Sequence, residues 1–470
     1  MAIEDALATW LGSQRWFAGK GQGLHDLAIV ADTELLAGDP ELRHLIVAVS
    51  HSTEVHYYQI LVGLRRRLPA RLQHVRIGAV GDGADGGGRI AYDALHDAEL
   101  TKPLLAGIAA DADTGALRMR TVPGASFTTG LDSLVLGSEQ SNTSLVYGEE
   151  SILKVFRRLS VGPNPDLEVT IALARAGSSR VAEPLGWIET KLEGVPTSLA
   201  ILSRYLRLAT DGWTLAATSV RDLYATVGDR VANDRGAVDR DADRDAEPVH
   251  AADAGGDFAG EARRLGLATA EVHADLAAAF GTDLLGADAV REMTEQMFRK
   301  LDLAVAAVPE LGKYVDMITD AYSALAKLPG PFPVQRVHGD YHLGQVMRTE
   351  TGWVVLDFEG EPATPLALRR ARSSPLRDVA GMLRSFDYAA RHQLIGHQEE
   401  AALSGAARDW VRRNAGAFCT GYAEAGGLDP VANQVLLRAL QLDKAVYEVL
   451  YEARHRPSWL SIPLDSLAEF

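Results

Sequence analysis

The sequence predicts an α+β protein, and three observations carry that prediction. Short apolar and β-branched runs bounded by turn residues fill much of the first two hundred positions. From Asp211-Gly212-Trp213 onward the apolar spacing becomes mostly helical. Within that helical part lies one isolated hairpin, preceded by Asp340 and followed by Asp357.

With 470 residues, 47% of them hydrophobic, the chain can bury a substantial core in two or three domains. A formal charge of −16 and a pI near 5.3 argue against a grip on nucleic acid or on an anionic membrane surface. The start, Met1-Ala2-Ile3-Glu4-Asp5, is acidic, and no apolar run is long enough to span a bilayer, so a cytoplasmic protein is expected. The single Cys419 excludes an intramolecular disulfide, and no cysteine cluster suggests zinc or iron.

Taken in order, residues 4 to 13 suit a helix, followed by the aromatic and basic Gln14-Arg15-Trp16-Phe17-Ala18-Gly19-Lys20. This element is read as a Trp/Phe plug that anchors the helix on a sheet, with a functional role as the alternative. His44–Val49 and Val55–Val62 are strands of an antiparallel hairpin joined by a polar turn. Residues 80 to 88 form a Gly/Asp-rich loop and 92 to 110 a helix, closing a small α+β domain over residues 1–112.

The second expected domain covers 113–206. Strands near Leu117–Arg120 and Leu134–Leu136 lead to the polar run Ser141-Asn142-Thr143-Ser144, a turn whose N–H groups and hydroxyls could face a phosphate. Lys154 on the following strand holds the place of a lysine that pairs with nucleotide phosphates, a solvated surface lysine being the plain alternative. The helix opening at Asn164-Pro165-Asp166 carries Glu168 as its expected partner and Asp166 as the second choice. The strand Thr197–Tyr205 leaves Ser203 and Tyr205 at a polar exit, where adenine would meet backbone groups, and the crossing between lobes is expected near Ser203–Leu206.

Residues 207–470 form the third, mostly helical part, with a solvated, mobile insertion expected at about 228–256. Phe258 to Phe280 is an amphipathic helix in which His273 is a satisfied core histidine, and further helices follow at 288–328, from Ser374, and at about 431–455.

The chemistry concentrates in Val337-His338-Gly339-Asp340-Tyr341-His342-Leu343-Gly344-Gln345 and Val354-Val355-Leu356-Asp357-Phe358-Glu359-Gly360. Phosphoryl transfer needs an oriented hydroxyl and cations on the phosphates, and two acids at this spacing divide that work. Asp340 would accept the hydroxyl proton, while Asp357, after a buried strand, and the amide oxygen of Gln345 would hold magnesium. As isolated features Asp340 would cap a turn and Asp357 a strand end; His342 lines the site or packs inside the loop. The order is similar to the protein-kinase pattern of catalytic Asp, metal-binding Asn and D-F-G aspartate, with Gly339 in place of Arg and Gln345 in place of Asn. On the last long helix Lys444, Glu448 and Glu452 share one face and Tyr447 and Tyr451 the next. By itself that pattern fits an exposed ion-paired helix as well as a disaccharide site.

Three stretches together resemble the actinobacterial maltokinases of the aminoglycoside phosphotransferase superfamily: Gln14–Lys20, His338–Gln345 with Asp357–Pro362, and Asp443–Glu448 with Glu452–Pro457. The resemblance implies a bilobal protein-kinase-like fold with an added N-terminal cap. It also implies ATP- and Mg2+-dependent phosphorylation of maltose to maltose 1-phosphate for glycogen and other α-glucan synthesis, with trehalose synthase as partner. It favours the sugar reading of the helix face, with Asp340, His342, Lys444, Tyr447, Glu448, Tyr451 and Glu452 around the acceptor, and a monomer is expected. Tyr341 stands where Leu is more usual, and the acidic insertion is atypical. A kinase of another sugar, such as a glucosamine kinase, would share Asp340, Gln345 and Asp357. A non-catalytic nucleotide-binding protein would lack one of the aspartates or Lys154, and all three are present.

Overall fold

The computed structural model of the chain describes residues 2–17, 26–51, 54–81, 88–137, 141–236, 251–252, 256–361, 364–397 and 400–470. Ala18–Lys20 of the aromatic plug, most of the loop at 80–88, Pro362 and most of the insertion at 228–256 lie outside these residues. The chain divides into two compact units, Met1–Ala174 with Ala182–Arg207, and Arg175–Val181 with Leu208–Phe470. The class is α+β, as the sequence predicts.

In the first unit, α1 (Ile3–Leu11) precedes an antiparallel sheet of β1 (Asp26–Leu36), β2 (Glu41–His51), β3 (Glu54–Arg65), β4 (Arg76–Val80) and β5 (Arg89–Asp93), ordered β1-β2-β3-β5-β4. Residues 92 and 93 still belong to β5, so the helix expected over 92 to 110, α2 (Ala98–Ala109), begins later. Its start is set by Asp97, whose side chain accepts from Glu99 N–H. A second sheet follows: β6 (Asp113–Thr114), β7 (Leu117–Thr121), β8 (Ser133–Val135), β9 (Asn142–Tyr147) and β10 (Ser151–Phe156). Next come β11 (Arg158–Leu159), which pairs back to β3, then α3 (Pro165–Arg175), β12 (Pro184–Leu192) and β13 (Val195–Arg204). The second sheet runs β6-β7-β12-β13-β10-β9-β8.

Strands β2 and β3 read as nearly continuous apolar runs because both of their faces are covered. Alternation along a strand sends Leu45, Val47 and Val49 with Tyr58, Ile60 and Val62 against Leu7, Trp10, Leu11 and Phe17. The opposite face sends Leu42, Ile46 and Leu61 into a cluster with Leu104, Leu105 and Ile108 of α2 and Leu153, Val155 and Phe156 of β10. Trp16 packs beside Trp10 and Tyr58, with ring centroids 5.7 and 5.9 Å away, so the described part of the aromatic plug does what a plug should.

Two polar residues stand in this inner face. Gln59 donates its amide to the carbonyls of Phe156 and Leu199, tying the first sheet to the second. Its oxygen must then accept from His44, whose Nε2 lies 3.0 Å away, so the imidazole is the neutral Nε2–H tautomer. Burial pushes its pKa down to about 4.

The second unit opens with β14 (Thr210–Asp211) and α4 (Gly212–Gly236), and the helix continues into the expected insertion as far as Gly236. Then come α5 (Ala259–Phe280), β15 (Thr282–Leu285), α6 (Ala287–Ala307), α7 (Val315–Ala326) and β16 (Phe332–Gln335), which pairs with β15. The hairpin β17 (Val346–Thr349) and β18 (Gly352–Val355) takes β14 as its third strand. Helices α8 (Leu366–Arg369), α9 (Leu376–Arg391), α10 (Glu400–Glu424), α11 (Gln434–His455) and α12 (Ser461–Leu467) complete it. Helices α5 and α10 cross backbone to backbone: a Cβ on Gly266 would sit 2.0 Å from the Phe418 carbonyl oxygen, and one on Gly421 would meet that of Arg263 equally closely. Among the described residues no helix is long and apolar enough to cross a membrane.

The neutral His44 makes the first unit acid-sensitive in a defined window. The unfolded chain binds this proton below about 6.5, the folded chain only near 4, so stability falls as pH drops between the two values, by up to roughly 3 kcal/mol. Thermal unfolding of wild type and His44→Gln at pH 7 and pH 5 checks this, the variant losing less on acidification.

Candidate active site

The loop before β17 is held by one helix face. Asp378, in the first turn of α9 and fully buried, accepts the backbone N–H of His338 at 2.7 Å and of Gly339 at 2.9 Å. Two further positions repeat the contact at helical spacing. A Cβ on Gly381 would sit 2.6 Å from the Tyr341 carbonyl oxygen, and Ser385 Oγ accepts from Leu343 N–H at 3.0 Å. His273 of α5 reaches the same carboxylate through Nε2 at 2.9 Å and meets the Tyr422 hydroxyl through Nδ1 at 2.8 Å. A carboxylate can only accept, so His273 donates from Nε2. His273 is thus the satisfied core histidine expected. Burial alone would raise the Asp378 pKa, but the bond from His273 and its other partners hold it below the ordinary value.

Tyr341, the departure from the usual Leu, is buried, and its hydroxyl shares a 2.8 Å hydrogen bond with Thr269 of α5. His338 joins the loop to the hairpin's far end: its Nε2 meets the Leu356 carbonyl at 2.8 Å, and its Nδ1 accepts from Asp340 N–H at 3.4 Å. Gly339 takes φ +85°, which explains glycine where protein kinases use arginine. Asp357 takes φ +64° without being glycine, a strain of about 1–3 kcal/mol that the neighbouring Leu356 N–H to Gln345 carbonyl bond helps to hold. Gln345 Nε2 donates to Asp357 Oδ2 at 3.1 Å, so the two residues expected to hold metal are adjacent. Glu359 brings a carboxylate oxygen within 4.8 Å of one on Asp357. These are hard oxygen donors of the kind magnesium takes.

Asp340 faces α11. Lys444 Nζ lies 3.6 Å from an oxygen of Asp340 and 3.6 Å from one of Glu361. Burial would lower the lysine pKa, but the two carboxylates outweigh it and hold it above its ordinary value. Beside this triad opens a cavity of about 750 Å3, walled by His342, Tyr388, Tyr447, Tyr451, Trp213 and Trp459 among others. His342 Nδ1 accepts from Gly344 N–H at 3.1 Å, and burial lowers its pKa, so the neutral ring is left with a proton on Nε2. Tyr447 lies under the Lys444 ammonium, 4.8 Å from ring to nitrogen.

Lys444, Glu448 and Glu452 share a face as expected and all three line the cavity, with Glu448 and Glu452 buried and held by arginines. Arg384 of α9 binds Glu448 Oε2 through Nε at 2.9 Å and Nη2 at 2.7 Å. Glu452 takes Arg456 on both oxygens and the Tyr388 hydroxyl on one. Residues on a core-facing stripe pair with the neighbouring helix, and a sequence read on its own cannot supply that helix.

The expected nucleotide residues lie in the first unit, and the polar run needs one correction. Lys154 Nζ meets Asp166 Oδ2 at 3.1 Å, so the second choice of partner is in contact with it. Residues two apart on a helix point about 200° apart, and Asp166 is the buried one of the two while Glu168 is half-buried. The run Asn142-Thr143-Ser144 is not a turn but the start of β9, buried, with Ser144 opposite Lys154 in register. Thr143 Oγ1 accepts from the buried Arg157 at 2.8 Å, which gives that hydroxyl a structural task. Ser141 is exposed just before the strand, and residues 138–140 are outside the described residues. Ser203 pairs within β13, and Tyr205 N–H donates to the Glu150 carbonyl at 3.0 Å.

Sequence reasoning missed Asp378, Glu361 and Arg384. Asp378 reads as an acid complementing a helix N-terminus, and Arg384 as a polar residue of an amphipathic helix. Only Glu361 carried a signal, lying four residues beyond Asp357.

Residues 10–97 match the maltokinase N-terminal cap domain, and residues 239–415 match the phosphotransferase enzyme family. The chain is 31% identical over 401 residues to a glucosamine kinase of Streptacidiphilus jiangxiensis, spanning 83% of this chain and 84% of that one. It is 29% identical over 334 residues to a glucosamine kinase of Mycolicibacterium smegmatis, spanning 69% and 76%. A solved glucosamine kinase in complex with glucosamine, ADP and inorganic phosphate is similar at a TM-score of 0.65 and 26% identity over 94% of each chain. Another crystal form of a glucosamine kinase gives 0.66 over 98% of each.

Replacing Asp378 by Ala leaves three buried donors unmet and should cost about 3–5 kcal/mol, read by urea unfolding. Because the folded carboxyl titrates below its ordinary value, this contribution is present at neutral pH and fades as pH falls through that lowered value. For Lys154 and Asp166, a double-mutant cycle in kcat/KM should show losses smaller in combination than their sum, since each change removes the same positioned charge.

Proposed function

We infer, because the chain belongs to the phosphotransferase enzyme family and carries a maltokinase-type N-terminal cap, that it transfers the terminal phosphoryl group of ATP to maltose. The class of reaction, phosphorylation of a sugar or amino sugar, follows from the family; the identity of the acceptor is our proposal. The observation that carries it is the charge balance of the cavity. Asp340 and Glu361 already share Lys444, Glu448 has Arg384, and Glu452 has Arg456. An amino sugar's ammonium would enter beside Lys444 and have to share Asp340 and Glu361 with it. A neutral disaccharide asks instead for aromatic faces and hydroxyl partners, and Tyr447, Tyr451 and the Nε2–H of His342 supply them.

In this reading the anomeric hydroxyl of maltose lies against Asp340, which accepts its proton as the oxygen bonds to the terminal phosphorus. The bond to the β-phosphate oxygen breaks, and maltose 1-phosphate and ADP form. Lys444 orients Asp340. Asp357, the Gln345 amide oxygen and Glu359 would hold magnesium, which neutralises phosphate charge when bound. Lys154, steadied by Asp166, would serve the nucleotide phosphates. With maltose as acceptor, trehalose synthase would supply substrate and α-glucan synthesis would consume product. The names of the relatives favour a second reading, glucosamine as acceptor, with Asp340 and Glu361 as counter-charges to the amine.

ATP consumption measured with maltose, glucosamine, glucose and other sugars separates the readings. Turnover of maltose with product phosphorylated at the anomeric position is expected; turnover of glucosamine and none of maltose overturns the proposal. Asp340→Asn should keep ATP affinity and lose about 10²- to 10⁴-fold in kcat.

A further inference from the structure

The acceptor cavity is longer than a disaccharide requires. Along α11 a run of rings leads away from Asp340: Tyr447 stacks on Tyr451 with centroids 6.2 Å apart, and Tyr451 on His455 at 4.5 Å. The guanidinium of Arg456 then lies 5.4 Å over Tyr451 and 4.5 Å over Trp459. Trp459 neighbours His392 at 6.0 Å, and His392 meets Trp213 at 4.8 Å. From Lys444 to Arg456 the helix advances about 18 Å. The two rings of maltose, with the reducing one at Asp340, cannot reach the Trp459 end.

Resting on the maltose reading, we propose that this far end is a further subsite, and that the enzyme accepts linear α-1,4-linked gluco-oligosaccharides of three or more units with the reducing end at Asp340. Each added glucose presents an apolar C–H face and a rim of hydroxyls. The far end presents the matching pair, the indoles of Trp213 and Trp459 and the exposed guanidinium of Arg454 with the exposed ring of His455. Tyr451 is 38% exposed within the wall of the cavity. The platform is rigid before any ligand arrives. Glu452, almost wholly buried, holds Arg456 through two hydrogen bonds of 2.9 and 2.7 Å, and the arginine in turn braces Tyr451 and Trp459. The reaction is unchanged: the terminal phosphoryl of ATP moves to the anomeric oxygen, and that proton passes to Asp340.

The test is steady-state kinetics of the full-length protein on maltose, maltotriose and maltotetraose, for wild type, Trp459→Ala, Trp459→Phe and Trp213→Ala. Wild type should show KM about five-fold lower for the trisaccharide and tetrasaccharide than for maltose, the size of one added ring contact. Trp459→Ala and Trp213→Ala should lose that advantage while their KM for maltose stays at the wild-type value, and Trp459→Phe should keep it. Equal KM for all three sugars in wild type, or variants that weaken maltose and maltotetraose alike, overturns this inference and leaves the maltose reading standing. Failure to turn over maltose at all overturns both.

Discussion

A single buried carboxylate decides where Asp340 and its loop neighbours point. Asp378 collects two backbone N–H groups from the loop before β17 and the ring N–H of His273, and it can do so only as an anion inside a shell of donors. The same helix face then offers Gly381, with no side chain to keep the loop away, and Ser385, with a hydroxyl to hold it. Side chains of other sizes or charges at these three positions would lift the loop or leave its donors unmet. Because the loop is seated, His338 can reach the Leu356 carbonyl, and the hairpin's end arrives with Asp357 beside Gln345. The strained backbone of Asp357 is sustained by that framework.

The acceptor side is organised by charge pairing. Buried ions survive only with partners, and on α11 every acid that faces inward has one. Arg384 serves Glu448, Asp387 and Ser466 together, Arg456 serves Glu452, and Lys444 divides itself between Asp340 and Glu361. The result is a cavity whose inward-facing acids each have a cationic partner, Asp340 and Glu361 sharing one, with aromatic rings between them.

The first unit shows a comparable economy of polar groups. Gln59, deep between two sheets, ties β3 to β10 and β13 and accepts from Nε2 of His44, which burial keeps neutral. Arg157 is buried on Asp93 and Thr143 with the Trp16 ring over it, so a cation and an aromatic from distant parts of the chain close the same core. Lys154 projects from β10 and finds Asp166 on the first turn of α3.

What the sequence determined by itself was whatever rests on local periodicity and on motif order. The β2–β3 hairpin, the run of helices after Asp211, the strand before Asp357 and the placement of Asp340 and Gln345 on the loop and of Lys154 on a strand were legible, because apolar spacing and a loop–hairpin–acid order are properties of short stretches. The tertiary structure decided the partners. That Asp166 meets Lys154 depends on how α3 is rotated, and that Glu448 meets Arg384 depends on which helix lies alongside. Asn142–Ser144 looked like a turn because its residues favour turns, yet β10 and Arg157 draw it into a strand. Asp378 could not be placed from sequence at all: its meaning is a set of donors brought together from segments far apart in the chain, and pairing of that kind exists only once the chain has folded.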